Sequence, residues 1–244
     1  MPAISNNYPG MAEGLSEQGF ALLPGFLNKA ELTQLELACQ PITNDYGVRQ
    51  VLQTHPAIAL ALPWQKIQLV LQAAGMRHAK PVRSIFFNKN AEHNWLVAWH
   101  QDMTICVDQR MDAPGYTKWT LKNGVHHVEP PANVLESMLT LRIALDAANH
   151  DNAALKVMAG SHRYGKLKGE QVDDYVEKAA QSDVYVCNMQ AGDVLLMKPL
   201  LFHASDKANH TTRASQRRVL HLEFSATTLP APMQWAEAAL AATS

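Results

Sequence analysis

Residues 217–224 read RRVLHLEF, and their alternation of polar and apolar side chains predicts a β-strand with two unlike faces. Leu220, Leu222 and Phe224 fall on one apolar face, which Arg218 shares. The opposite, largely polar face carries Arg217, Val219, His221 and Glu223. In an open sheet such a face is simply solvated, whereas in a barrel or jelly roll it lines a wet cavity.

Residues 139–145, LTLRIAL, repeat this alternation, with Arg142 on the polar side. Shorter segments of strand character are expected at 82–87, 95–104, 155–158 and 193–197. Helices are expected earlier in the chain, one after the N-cap candidate Asn28 and one over 67–74 that ends at Gly75. The pattern indicates a mainly β body with flanking α-helices.

Residues 103–138 interrupt the series of strands with Pro-Gly, Asn-Gly and Pro-Pro pairs, and we expect a long irregular excursion there. Such excursions are often functional, so this one is our candidate for a substrate lid. Its aromatic and basic side chains are Tyr116, Lys118, Trp119, Lys122, His126 and His127. The two histidines are expected to be loop residues rather than metal ligands.

Composition excludes several classes of protein. With 244 residues, 27.0 kDa and a formal charge of −1, the chain is expected to form one globular domain with no electrostatic preference for nucleic acid. Three widely spaced cysteines do not suggest a disulfide framework. We expect a soluble cytoplasmic protein, because neither a signal peptide nor a membrane-spanning segment is visible. The composition does not indicate an oligomeric state.

The His-x-Asp sequence His100-Gln101-Asp102 is the first candidate for chemistry. On an extended segment His100 and Asp102 project from the same face, so both can reach one metal ion while Gln101 points away. One more histidine from a neighbouring strand would complete two histidines and a carboxylate. That set suits ferrous iron with three open positions, although the same ligands can hold a catalytic zinc ion.

A second candidate segment, residues 200–205, ends an apolar strand with His203-Ala204-Ser205, and Arg217 follows 14 residues after His203. An arginine on the polar face of the last strand can bind the distal carboxylate of a keto-diacid in bidentate fashion. Ser205 can donate a further hydrogen bond to that carboxylate. These residues favour iron with a 2-oxo acid over zinc.

At these residues the chain resembles the phytanoyl-CoA dioxygenase family of iron(II)/2-oxoglutarate-dependent oxygenases, over nearly its whole length. The matching segments are 15–20 (LSEQGF), 99–102 (WHQD), 159–162 (AGSH), 192–193 (GD), 203–205 (HAS) and 217–218 (RR). The resemblance implies a double-stranded β-helix, a jelly roll of cupin type, with iron held by His100, Asp102 and His203. It also implies that 2-oxoglutarate is anchored by Arg217 and Ser205 and that O₂ is the oxidant.

On this basis the chain divides into a mostly helical flank (1–80), a β-helix core (81–225) that contains the 103–138 lid, and a C-terminal tail (226–244). The chain departs from the family in having Ala153, Ala159 and Ala204 where glycine or proline is usual. The spacing from His203 to Arg217 is slightly long for the family, so Arg213 and Arg218 are rival candidates for the carboxylate anchor. Strand parity favours Arg217, because Arg218 shares the apolar face.

Arg142 stands where some relatives carry an aromatic residue. A buried cation needs an anionic partner, so we expect Arg142 to contact 2-oxoglutarate or an acidic substrate. A structural ion pair with Asp146 or Glu223 would satisfy it equally well. Together with Lys118 and Lys122, it indicates an anionic small molecule as substrate.

The function expected from these residues is hydroxylation of a small molecule with release of succinate and CO₂. Asp102 fills the position that a halogenase would leave for chloride, which favours hydroxylation over halogenation. The alternative is a non-catalytic or zinc-binding sensor of a small acid with the same fold. A purely structural jelly roll would give no reason for His100, Asp102, His203 and Arg217 to converge.

Overall fold

The structure is a computed structural model that describes residues 8–42, 47–181, 184–209 and 216–237. Two β-sheets form its body. The strands of the major sheet, in spatial order, are β1 (Phe20–Leu23), β11 (Val194–Met197), β8 (Met138–Ala144), β13 (Arg217–Ser225), β3 (Lys80–Lys89) and β2 (Gly47–Arg49). The strands of the minor sheet are β10 (Tyr185–Val186), β9 (Lys156–Val157), β12 (His203–Ser205) and β4 (Val97–His100). This is the expected double-stranded β-helix.

Helices cover the outer face of the major sheet. They are α1 (Met11–Glu17), α2 (Lys29–Cys39), α3 (Val51–Thr54), α4 (Pro56–Ala61) and α5 (Trp64–Ala73). The predicted N-cap is confirmed, because the Asn28 side chain accepts a hydrogen bond from the Glu31 amide within a capping box. None of the helices within the described ranges is both long enough and apolar enough to cross a membrane.

The predicted strand faces are confirmed. The apolar face of β8 and β13, including Leu141, Ile143, Leu220 and Leu222, packs in one core with the N-terminal helices. A second core lies on the other side of the major sheet, where Leu195 and Met197 pack with residues of the minor sheet. The polar face of β8 and β13 is thereby directed into the space between the sheets.

The segment expected to be mostly helical, residues 1–80, also supplies two strands of the major sheet. Strand β1 pairs antiparallel with β11, and β2 pairs with β3 at the opposite edge. Both strands are too short for alternation to reveal them. Conversely, the strand expected at 95–104 is limited to Val97–His100, so Asp102 follows the strand.

The segment 103–138 is not irregular, contrary to expectation. It forms an antiparallel three-stranded sheet of β5 (Ile105–Val107), β7 (Val125–Glu129) and β6 (Thr117–Lys122), followed by helix α6 (Ala132–Glu136). Asn123 and Gly124 both have positive φ, 50° and 78°, and link β6 to β7 as a two-residue hairpin turn. His126 and His127 therefore lie on a strand, not in a loop.

Helix α7 and the packing of the C-terminal tail were not expected from the sequence. Helix α7 (Glu170–Gln181) lies between β9 and β10. The described part of the C-terminal tail packs on the three-stranded sheet through Leu229 and Met233, and the Glu237 carboxylate accepts hydrogen bonds from the amide and hydroxyl of Ser84. Residues 238–244 lie outside the described ranges.

Candidate active site

The structure brings His100, Asp102 and His203 together. Strands β4 and β12 pair with His100 opposite His203, and Asp102 follows β4 with its amide bonded to the carbonyl of Pro199 at 2.9 Å. Asp102 Oδ1 lies 3.8 Å from His100 Nε2, and Oδ2 lies 3.8 Å from His203 Nε2. One ligand atom from each side chain lies within 4.8 Å of the other two, which is close enough to share one metal ion.

Backbone carbonyls orient both imidazole rings. Nδ1 of His100 is 2.8 Å from the oxygen of Ala98, and Nδ1 of His203 is 2.8 Å from the oxygen of Leu201. A carbonyl can only accept, so Nδ1 carries the proton in both rings and each Nε2 has a free lone pair directed towards Asp102. This is the arrangement that metal-binding histidines usually show.

Gln101 points away from this cluster, as expected from its place between His100 and Asp102. Its amide nitrogen donates to the carbonyls of Leu200 at 2.6 Å and Gly165 at 2.8 Å. Its oxygen accepts from the Leu167 amide at 2.8 Å. The middle residue of the motif therefore fixes the backbone around the cluster.

The donor set fits a divalent metal ion. Within the described structure, Oδ2 of Asp102 is buried and has no hydrogen-bond partner, which is costly unless a cation supplies one. Burial works to raise the pKa of Asp102, but the positive fields of His203, His221 and His100 outweigh it and lower the pKa to about 2. Burial lowers the pKa of His203 to about 4. At neutral pH the set is thus a carboxylate with neutral imidazole, which suits iron(II).

Arg217 lies on the cavity side of β13, as parity predicts, and is 6% exposed. Its guanidinium donates to the carbonyl of Asn152 and to Oγ of Ser205, both at 3.2 Å. Burial and the neighbouring Arg142 lower its pKa to about 9. Among the described residues no carboxylate pairs with Arg217, so a bound anion would supply the missing charge.

Of the two rival anchors, Arg218 does not line the cavity. Arg218 points to the opposite side of β13, where it pairs with Asp146 at 2.7 Å and with Glu36 at 3.0 Å. Arg213 lies outside the described residues. Asp146 is thereby engaged and does not pair with Arg142.

Ser205 is beside Arg217, but its hydroxyl is not free to donate. It donates to the carbonyl of Ala153 at 2.8 Å and accepts from Arg217 and Lys89. In this arrangement Ser205 holds two cations in place rather than presenting a donor to a carboxylate. A direct bond from Ser205 to an anion would require its hydroxyl to release Ala153.

Arg142 also lines the cavity and is 7% exposed. Its Nη1 donates to Nδ1 of His221 at 2.9 Å, and its guanidinium carbon lies 5.7 Å from the centre of the Phe87 ring. Arg142 pairs with neither Asp146 nor Glu223, because Asp146 is paired with Arg218 and Glu223 is paired with Arg83 at 2.9 Å. Burial lowers the pKa of Arg142, and Asp102 partly opposes this.

Lys89 is the residue that sequence reasoning missed. It lies opposite Arg217 in the β3–β13 ladder and is 1% exposed. Its ammonium group donates to Oγ of Ser205 at 3.1 Å and to the Asp206 carbonyl at 2.6 Å. Burial, together with Arg217 and Arg142, lowers its pKa to about 7. In the sequence Lys89 is only a lysine at the end of an apolar strand, and its place beside Arg217 becomes visible only from the β3–β13 register.

The chain also contains two His-x-Glu sequences, His127-Val128-Glu129 and His221-Leu222-Glu223, whose side chains are engaged with other protein groups. His221 and Glu223 lie near Asp102, but Arg142 occupies Nδ1 of His221 and Glu223 accepts from its Nε2 at 3.2 Å. Elsewhere, Glu129 is paired with Lys118 at 2.7 Å and with Lys166 at 2.8 Å. His127, its partner in the sequence, instead lies with Nδ1 3.6 Å from the sulfur of Cys106.

One cavity of about 300 Å³ joins these groups. The three candidate metal ligands, Arg142, Arg217 and Ser205 all line it. Its size suits a small molecule together with a co-substrate rather than a macromolecule. The cavity thus places a cation-binding cluster within reach of a strongly cationic wall.

Comparison with known proteins gives a family and a fold for this chain. The family model described as phytanoyl-CoA dioxygenase matches residues 15–219. No curated protein matches the sequence. Among solved structures, AviO1 from Streptomyces viridochromogenes Tue57 is 18% identical with a TM-score of 0.65, and the match covers 91% of this chain and 97% of that one.

The descriptions of two further similar structures mention 2-oxoglutarate, which is also called alpha ketoglutarate. EctD from S. alaskensis, solved with 2-oxoglutarate and 5-hydroxyectoine, is 18% identical with a TM-score of 0.66, over 89% of this chain and 76% of that one. SnoK, a non-heme alpha ketoglutarate dependent carbocyclase from nogalamycin biosynthesis, is 14% identical with a TM-score of 0.66, over 91% and 85%. At these identities the structures share the fold. The family model matches well over half of the chain, so this chain belongs to the phytanoyl-CoA dioxygenase family of iron(II)/2-oxoglutarate-dependent oxygenases.

Proposed function

We propose that this protein hydroxylates a small molecule, with 2-oxoglutarate as co-substrate and O₂ as oxidant. The reaction converts 2-oxoglutarate and O₂ to succinate and CO₂ and places one oxygen atom of O₂ on the substrate carbon. The observation that carries the proposal is the single cavity in which a two-histidine, one-carboxylate cluster faces Arg142 and Arg217, neither of which has a carboxylate partner among the described residues.

In this proposal His100, Asp102 and His203 hold iron(II), which supplies the redox chemistry that amino-acid side chains lack. The protein contributes orientation. Because the carbonyls of Ala98 and Leu201 fix both rings, the two Nε2 atoms and the Asp102 carboxylate are in place before a metal ion arrives. Asp102 occupies the third ligand position, which favours hydroxylation over halogenation.

Arg217 binds the distal carboxylate of 2-oxoglutarate, and Lys89 and Ser205 support it. The guanidinium offers planar donors that match a carboxylate, and the buried cations Lys89 and Arg142 add to the positive field. Arg142 neutralises further charge of the co-substrate or of an acidic substrate. The dianion in turn relieves the repulsion between these buried cations.

The segment 103–138 forms one side of the cavity mouth and limits the access of water, since Thr104, Lys122 and His127 line the same cavity as the metal cluster. Excluding water protects a reactive intermediate from side reactions and strengthens the electrostatic contacts inside. This is the lid role expected of the segment, performed by a small sheet.

The test is spectroscopic. Addition of Fe(II) and 2-oxoglutarate without oxygen is expected to give the visible charge-transfer band of a 2-oxo acid chelated to ferrous iron. Asp102→Ala should lose the band and retain its melting temperature, because Oδ2 of Asp102 makes no hydrogen bond within the described structure. Asp112→Ala, which removes an exposed carboxylate from the 103–138 segment, is the matched control and should keep the band.

A wild-type protein that binds metal but gives no band would contradict the proposal and favour the zinc-binding sensor. A marked fall in the melting temperature of Asp102→Ala would indicate a structural role for this residue instead. Where the band forms, succinate release in air then identifies the substrates that stimulate turnover.

A further inference from the structure

A group of basic side chains lies at the end of the cavity where β2 faces the β6–β7 hairpin. The cavity that holds the candidate metal ligands adjoins a second cavity of about 350 Å³, and both are lined by Arg49, Arg83, Lys122 and His127. These four residues come from β2, β3, β6 and β7, so they are brought together only by the fold. They define what we name the basic boundary.

The net positive charge of the basic boundary comes from Arg49 and Lys122. Arg83 is neutralised by Glu223 at 2.9 Å and donates further to the Thr104 carbonyl at 2.7 Å. Arg49 and Lys122 form no ion pair with any residue that the structure describes. Both side chains are solvent-exposed at the cavity mouth, where they can contact an entering molecule.

Local backbone geometry fixes the two cations. Lys122 is the last residue of β6, directly before the Asn123-Gly124 turn, and pairs with Val125 across the hairpin. Arg49 is the last residue of β2, opposite Ile85 of β3. A two-residue turn with positive φ at both positions is among the most restrictive of hairpin connections, so Lys122 is held at the mouth by the fold.

His127 lies where the positive fields of the boundary meet. It is 4% exposed, and burial followed by the charges of Arg83, Arg49 and Lys122 lowers its pKa to about 4. A neutral imidazole at this place can donate one hydrogen bond without adding charge. The boundary therefore combines two free cations with a buried neutral donor.

We propose that Arg49 and Lys122 bind an oxyanion group of the substrate, a carboxylate or a phosphoryl group, with His127 as its hydrogen-bond partner. The inference rests on the proposed function, because it places the carbon to be oxidised at the metal end of the same cavity. The substrate would thus be a small anionic molecule whose charged end is held at the mouth. Arg142 and Arg217 are not part of this site, and Arg217 serves the co-substrate.

Lys118 provides a matched control on the same hairpin. It is exposed on β6, as Lys122 is, but its ammonium group is paired with Glu129 at 2.7 Å and it does not line the cavity. Replacing Lys118 removes the same charge from the same strand. A general effect of net charge would therefore appear equally in variants of either lysine.

The test measures anion binding without turnover. Protein saturated with Zn(II) and 2-oxoglutarate, so that the co-substrate anchor is filled, is titrated with inorganic phosphate and with acetate at constant ionic strength. The amide signals of Arg49, Lys122 and Gly124 are followed by ¹H–¹⁵N NMR. We expect saturable shifts with at least one anion, weakened roughly tenfold in the Arg49→Gln/Lys122→Gln double variant and unchanged in Lys118→Gln.

Shifts that do not saturate, or that are equal in the double variant and the wild type, would overturn the inference. The Fe(II)–2-oxoglutarate band of the wild type tests the proposed function separately. A band without saturable anion binding would remove the oxyanion site and leave the oxygenase proposal standing, whereas a missing band would remove the oxygenase proposal itself.

Discussion

At the scale of single residues, the cavity is distinguished by buried positive charge without a matching negative charge. Lys89 and Arg217 share the hydroxyl of Ser205, and the field of Arg142 reaches both of them. Burying a cation is costly unless an anion compensates it, and no described carboxylate does so for the two arginines. An anionic ligand would therefore relieve a cost that these residues impose on the free protein.

Lys89 makes this arrangement dependent on pH. In the free protein, burial, Arg217 and Arg142 lower its pKa to about 7, although the nearby Asp206 opposes them. A dianion bound beside Lys89 would favour the protonated form and raise that pKa. As the pH rises through 7, the free protein loses the proton that binding requires, so the affinity for 2-oxoglutarate should fall. We expect Kd to rise about tenfold between pH 6.5 and pH 8.5.

Isothermal titration of 2-oxoglutarate at several pH values measures this effect. Lys89→Gln should bind more weakly at pH 6.5 and show a flatter dependence on pH. Lys198→Gln is the control, since burial also lowers the pKa of Lys198, but within the described structure its ammonium group makes no hydrogen bond to Ser205 such as Lys89 makes. A dependence on pH that is as steep in Lys89→Gln as in the wild type would assign the proton to another group.

At the scale of elements, the turn that contains Ser161 connects distant segments to the candidate metal ligands. The Ser161 hydroxyl donates to the carbonyl of Met158 at 2.7 Å and accepts from the amide of Phe202 at 2.8 Å. Phe202 directly precedes the candidate ligand His203. The same turn also contacts the residue after helix α1, because the Gly160 amide donates to the carbonyl of Gln18 at 2.8 Å.

Ser161→Ala should therefore destabilise the protein and weaken metal binding together. Ser161 is completely buried, so its loss leaves the Phe202 amide without an acceptor, at a cost of about 1–3 kcal/mol. Thermal unfolding and competition with a metal chelator measure the two effects. Ser137→Ala, which removes an exposed hydroxyl, should change both by much less. Unaltered metal affinity in Ser161→Ala would show that the turn supports the fold alone.

The elements also show what the sequence could predict. The polar faces of β8 and β13, with Arg142 and Arg217, were predictable because long strands with one dry face alternate clearly. Strand β1 was missed, since four residues of mostly apolar character have no visible period. The β6–β7 hairpin does carry a local signal, Asn123-Gly124, but in the sequence alone this pair is as compatible with an irregular loop as with the tight turn that it forms. The position of Lys89 beside Arg217 depends on the strand register, which cannot be derived from the sequence.

At the scale of the whole molecule, the larger apolar core lies on the outer face of the major sheet, and the charged cavity lies on its inner face. The major sheet packs one face against the N-terminal helices, and its other face supplies the cationic wall of the cavity. The apolar core can thus stabilise the fold while the cavity keeps its excess positive charge. A protein built in this way should gain global stability when an anion fills the cavity, because the ligand binds the folded state only.

This gain should appear as a shift in melting temperature. At 100 times Kd, 2-oxoglutarate should stabilise the folded protein by about 2.7 kcal/mol, or roughly 5–10 °C for a chain of this size. Arg217→Gln should lose most of the shift. Arg218→Gln should melt somewhat lower than the wild type because it loses the ion pairs with Asp146 and Glu36, yet it should keep the shift. The two variants remove the same group from adjacent positions of one strand, so a shift of equal size in both would mean that 2-oxoglutarate is not held by the inner face of β13.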